Sequence, residues 1–146
     1  MGSVLMETMA LERLIELVEE SVTEAGVHVP DSLQGTTSTT RLHESATVAR
    51  ETTTNLEQFR DQLISRVEDV VAVEYVFEIQ PHQQKASRAA AYPVVRAARN
   101  KVTNLEDGRQ RHNGQVHIST DEVVEGGWLI ITDRYRFRRY EQVGRG

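Results

Sequence analysis

The chain has 146 residues, the size of one domain, and its 38% apolar and 5% aromatic content implies a thin core under a large polar surface. The absence of cysteine excludes disulfides and thiolate zinc sites, and no apolar run approaches the eighteen or so residues of a membrane helix. The net charge of −5 is unevenly spread: residues 1–84 carry five Arg against fifteen acids, and residues 85–146 carry twelve Lys and Arg against seven.

The N-terminus has neither the basic and apolar regions of a secretory signal nor a Ser or Thr at position 6 for myristoylation, so a soluble protein made in the cytoplasm is expected. A first helix is predicted within residues 8–26. Leu11, Leu14, Ile15, Val18, Val22 and Ala25 form one apolar stripe, while Glu12, Glu16, Glu19, Glu20 and Glu24 take the other face. Thr8 is the expected N-cap, Gly26 the C′ residue, and Pro30 prevents continuation.

Residues 31–54 hold eight Thr and three Ser without a helical period, which predicts an extended arm or irregular hairpin, the alternative being a long loop. Thr54 and Glu57 match a capping box, and Leu56, Phe59, Leu63 and Val67 keep a helical step, so a short helix is expected over 55–67 unless the segment extends the next strand. Val71 to Ile79 is the strongest strand signal, with large apolar residues at every odd position. An Ala-rich helix should follow over about 84–102, kinked or split at Pro93. Val116–Thr120 and Trp128–Tyr140 read as strands joined by a Glu125-Gly126-Gly127 turn. The whole predicts a single α+β domain over 1–146, with residues 55–146 as its core: a mainly antiparallel sheet, helices on one face, and a Thr-rich arm.

No catalytic constellation is recognisable, so an enzyme is not expected. There is no nucleophile elbow, P-loop or dinucleotide fingerprint, and His28, His43, His82, His112 and His117 lack metal-ligand spacing; no cofactor or metal site is assigned. Arg134, Arg136, Arg138 and Arg139, interleaved with Tyr135, Phe137 and Tyr140, are the candidate nucleic-acid contact. Strand alternation favours core aromatics behind a solvated basic face, yet such a face could still line a lumen and touch passing DNA without sequence specificity. Thr36, Thr37, Thr39, Thr40, Arg41 and Arg50 are the candidate residues of an arm that lies on a neighbouring subunit.

The opening helix LERLIELVEESV, the strand VVAVEYVFEIQP running into KASRAAAYPVVRAARNKV, and the closing HISTDEVVEGGWLIITDRYRFRRYEQV together resemble the tail terminator, or tail completion, proteins of long-tailed bacteriophages. The resemblance implies a small α+β structural protein of the virion, assembled in the host cytoplasm. It would form a ring, usually a hexamer, at the head-proximal end of the tail tube. Its partners would be copies of itself, the tail tube protein and the head connector or stopper, and no catalytic residue carries over. Another head–tail connector or minor tail protein, or a small nucleic-acid-binding module using the basic C-terminal strand, is the alternative expectation.

Overall fold

A computed structural model describes residues 8–30, 44–59, 63–105 and 115–142. The order is α1 (Leu11–Glu24), β1 (Glu44–Phe59), β2 (Ile64–Glu78), α2 (Gln84–Thr103), β3 (Val116–Glu125) and β4 (Trp128–Gln142). The strands form one sheet in the order β1-β2-β4-β3, and every neighbouring pair is antiparallel. Two hairpins, β1–β2 and β3–β4, are thus joined through α2 and zipped together along β2 and β4. Both helices lie on one face of the sheet, α1 over β1 and α2 over β2 and β3. The architecture is the expected α+β class, an antiparallel sheet with helices on one side.

The core follows from the two periodicities. Val71, Val73, Tyr75 and Phe77 of β2, and Leu129, Ile131, Tyr135 and Phe137 of β4, alternate onto the covered face and are buried there. They meet Leu14, Ile15, Val18 and Val22 of α1 and Ala91, Val95, Ala98 and Val102 of α2. Burying such side chains removes about 1.5–3 kcal/mol worth of apolar exposure for each large residue. The small Ala positions of α2 let its backbone approach the sheet closely.

Several expectations need correction. Among the described residues of 55–67 there is no helix: 55–59 end β1, Leu63 is a turn residue, and 64–67 start β2. The four apolar residues of this stretch do not share a face. Leu56 sits at a bulge between Asn55 and Glu57, Leu63 is in the turn with φ 53°, and only Val67 reaches the core. The Thr-rich segment is extended over 44–54 as expected, the first part of β1 in a hairpin with a register shift between Arg50 and Thr52, while its residues 31–43 lie outside the described residues. The α1 N-cap is Ala10, with no side-chain cap bond, rather than Thr8. Instead, the Met9 N–H donates to the Tyr140 carbonyl at 2.8 Å, which fixes the entry to the helix. Glu19, assigned to the solvent face of α1, is buried.

Pro93 neither splits nor ends α2, which is continuous over Gln84–Thr103. Proline removes one amide donor and crowds the carbonyl four residues earlier, here Ala89. Ala89 and Pro93 are both exposed, so water can serve the freed carbonyl. At the β3–β4 turn, Gly126 (φ 55°) and Gly127 (φ 85°) both take left-handed conformations, as a two-residue hairpin of this twist requires.

Candidate functional site

Two buried carboxylates clasp the covered face. Asp133, fully buried on β4, accepts from Arg99 Nε and Nη2 of α2, both at 3.0 Å. Thr120 Oγ1 of β3 donates to it at 2.6 Å, and the Tyr135 hydroxyl at 3.3 Å. His117 Nε2 stands 3.2 Å from the same carboxylate. Hydrogen bonding to Asp133 raises the Arg99 pKa despite partial burial. This carboxylate is already saturated with donors, so its chemistry is that of a tie between α2 and the β3–β4 hairpin.

Asp69 of β2 is the second clasp. Arg139 Nε donates to it at 2.5 Å and Thr53 Oγ1 of β1 at 2.5 Å. Arg139 also reaches the Met9 carbonyl at 2.9 Å and Glu141 at 2.7 Å. Burial alone would lower the Arg139 pKa; hydrogen bonds to Asp69 and Glu141 outweigh it and leave it raised. Arg139 is therefore removed from the candidate basic strand surface. Its position in β4 has the parity of Tyr135 and Phe137, which turns it inward.

Among the described residues, no helix lies on the opposite face of the sheet. Arg134, Arg136 and Arg138 point there, as alternation predicts, but acidic neighbours answer them. Arg134 donates to Glu51 of β1 at 2.9 Å and also to Asp121 of β3. Hydrogen bonding, first to Glu51 and then to Asp121, raises its pKa. Arg138 donates to Glu68 at 3.2 Å, and Arg136 lies 4.0 Å from the same carboxylate. Strand order supplies Glu68 and Asp121 from the flanking β2 and β3, and Glu51 reaches Arg134 from β1, one strand further out.

Towards the β3–β4 turn the bare face becomes apolar. Val76, Ile130 and Val123 lie opposite one another across three strands, with Trp128 beside them. Val123 and Trp128 are 50% and 37% exposed, which is high for such large apolar groups. At the other end Phe59 and Tyr140 pair with ring centroids 6.1 Å apart.

Of the candidate arm residues, Thr36, Thr37, Thr39, Thr40 and Arg41 lie outside the described residues. Arg50 is exposed on β1, the edge strand, and donates to Thr53 Oγ1 at 3.2 Å. Among the histidines, His43 and His112 also lie outside the described residues.

The sequence reading passed over a second basic feature. Helix α2 has five cations and no acid, and Lys85, Arg88, Tyr92, Arg96 and Arg99 recur at steps of three and four along one side. That side overhangs β3, because Tyr92 bonds Glu122 and Arg99 bonds Thr120. Hydrogen bonding to Glu122 raises the Tyr92 pKa. Two shallow hollows lie along it, one lined by Gln84, Lys85, Arg88, Ala89 and Tyr92, the other by Pro93, Arg96 and Arg99 with their neighbours. The helical spacing of these cations was the available signal. No protein-family model matches the chain, and none of the curated proteins compared with it matches.

Proposed function

We propose that this chain is a structural virion protein, a tail terminator that closes into a ring at the head-proximal end of a phage-type tail tube and joins it to the head connector. The observation that carries this reading is the sheet face that holds no helix among the described residues, where exposed Val123 and Trp128 adjoin half-buried Val76 and Ile130 on a two-layer domain. A face of that kind on a 146-residue chain is suited to burial against other subunits. The resemblance of the element order to tail terminators supplies the class, and a heterologous contact that closes on itself would give the ring. Another connector or minor tail protein would use the same surfaces. The nucleic-acid alternative is less well supported, because Arg134, Arg136 and Arg138 are each answered by Glu51, Asp121 or Glu68.

The test is direct. Purified chain viewed by negative-stain microscopy, alone and with polymerising tail tube protein, should form rings or cap tube ends and halt their growth. Substituting Trp128→Ser together with Val123→Ser should abolish capping while leaving the fold intact by circular dichroism. A chain that remains monomeric with tubes present, and that is retained on DNA in an Arg136- and Arg138-dependent way, would reverse the assignment.

A further inference from the structure

We infer that the basic side of α2 is a docking surface for the acidic helix α1 of a second copy of this chain, which makes this pair of helices one heterologous contact of the ring. The inference rests on the ring reading and adds to it the identity of the touching surfaces. On α1, Glu12, Glu16, Glu20 and Glu24 recur every four residues, a winding acidic ridge about 18 Å long at the helical rise of 1.5 Å per residue. On α2, Lys85, Arg88 and Arg96 span about 17 Å by the same measure, Arg99 being engaged by Asp133. The two ridges therefore match in length, oppose in sign, and occur once each per chain. Lys85 and Arg96 are exposed and Arg88 half-buried, and the Arg88 Nε is buried without a hydrogen-bond partner among the described residues. Ala86, Ala89, Ala90 and Ala97 beside them are exposed and small, so a second helix can come close.

Two other occupants fit less well. The basic side of α2 is bounded by acidic groups: α1 on the helix layer, tied to it by Lys101–Glu24 at 3.7 Å, and Glu122 of β3, which Tyr92 reaches. A nucleic-acid duplex, wider than one helix, would bring phosphates against those acids, whereas a single acidic ridge would not. Edge-to-edge pairing of β1 with β3 between copies is opposed by like charge, since β1 exposes Glu51 and Glu57 and β3 its three acids.

The experiment is charge reversal with exchange between copies. The wild-type chain at low salt, over a roughly hundredfold concentration range, should self-associate in sedimentation velocity, and salt should weaken the association. Lys85→Glu with Arg96→Glu, or Glu12→Lys with Glu20→Lys, should each weaken it at least about tenfold while leaving circular dichroism and Tm unchanged. An equimolar mixture of the two variants should regain it. In wild-type protein mixed with isotope-labelled copies, a zero-length carbodiimide should link Lys85 to α1 glutamates between copies, a readout that needs no variant. Association that both reversals leave untouched, with no such cross-link, overturns this pairing while the ring reading stands on another surface. A wild-type chain monomeric at every concentration and on tubes overturns both. Loss of DNA retention by Lys85→Glu with Arg96→Glu, with association unchanged, would reassign the surface to nucleic acid.

Discussion

Tyr75 and Tyr135 share the buried space around Asp133, and their hydroxyls are the groups there most sensitive to alkali. Burial first, and then the Asp133 charge, pushes the Tyr75 pKa well above its usual value. For Tyr135 burial also dominates, followed by Tyr75 and Asp133. A folded-state value raised above the unfolded one means that the folded protein holds these protons more tightly. The stability so gained is fully present below the ordinary tyrosine value near 10 and falls as pH rises beyond it. Absorbance at 295 nm is therefore expected to show Tyr75 and Tyr135 ionising only together with loss of near-ultraviolet circular dichroism. Ionisation of all four tyrosines near pH 10 in an intact fold would overturn this account of their burial. Little of the cluster was legible in advance. Asp133 stood out only as an interruption in an apolar alternation, and its partner Arg99 lies 34 residues away on another element. The same holds for Asp69 and Arg139, 70 residues apart. Pairings at such distances are set by topology, which a local pattern does not encode.

At the scale of the elements, legibility followed burial. Strands β2 and β4 are central, bury every second residue, and announced themselves by period two. Strand β1 lies at the edge, with only Ala46 and Val48 buried among its described side chains, so its polar sequence carried little alternation. A chance helical spacing of Leu56, Phe59, Leu63 and Val67 then outweighed the β preference of its threonines. Helix α2 was legible in extent but not in continuity, because exposure of Pro93 relieves the expected break. The proline still forfeits a hydrogen bond. Pro93→Ala should accordingly stabilise the protein by about 2 kcal/mol, the interior penalty of roughly 3 kcal/mol less the chain entropy the ring removes. Thermal or urea unfolding would measure it, and an unchanged or lowered midpoint would show that the proline is accommodated without loss.

At the scale of the whole molecule, the sequence showed an acidic first half and a basic second half, and the sheet order explains why that division is not what a neighbour meets. The basic strand β4 is enclosed between β2 and β3 and neutralised, while Lys85 and Arg96 of α2 and Glu12 and Glu20 of α1 are exposed. The class of fold was legible because hairpin turns, alternation and apolar stripes all agreed on it. The strand order β1-β2-β4-β3 also bears on how quickly the chain can find its structure. Each hairpin closes over a handful of residues, but the nearest pair in the central seam, Glu78 with Trp128, is fifty positions apart. Closing that larger loop requires more entropy to be lost before any contact rewards it, so the seam should set the refolding rate. Val73→Ala in the seam is expected to slow refolding in stopped-flow kinetics, whereas Val48→Ala on the outer strand should mainly speed unfolding. The reverse pattern would mean that the outer strand, not the joining of the two hairpins, is the slow event.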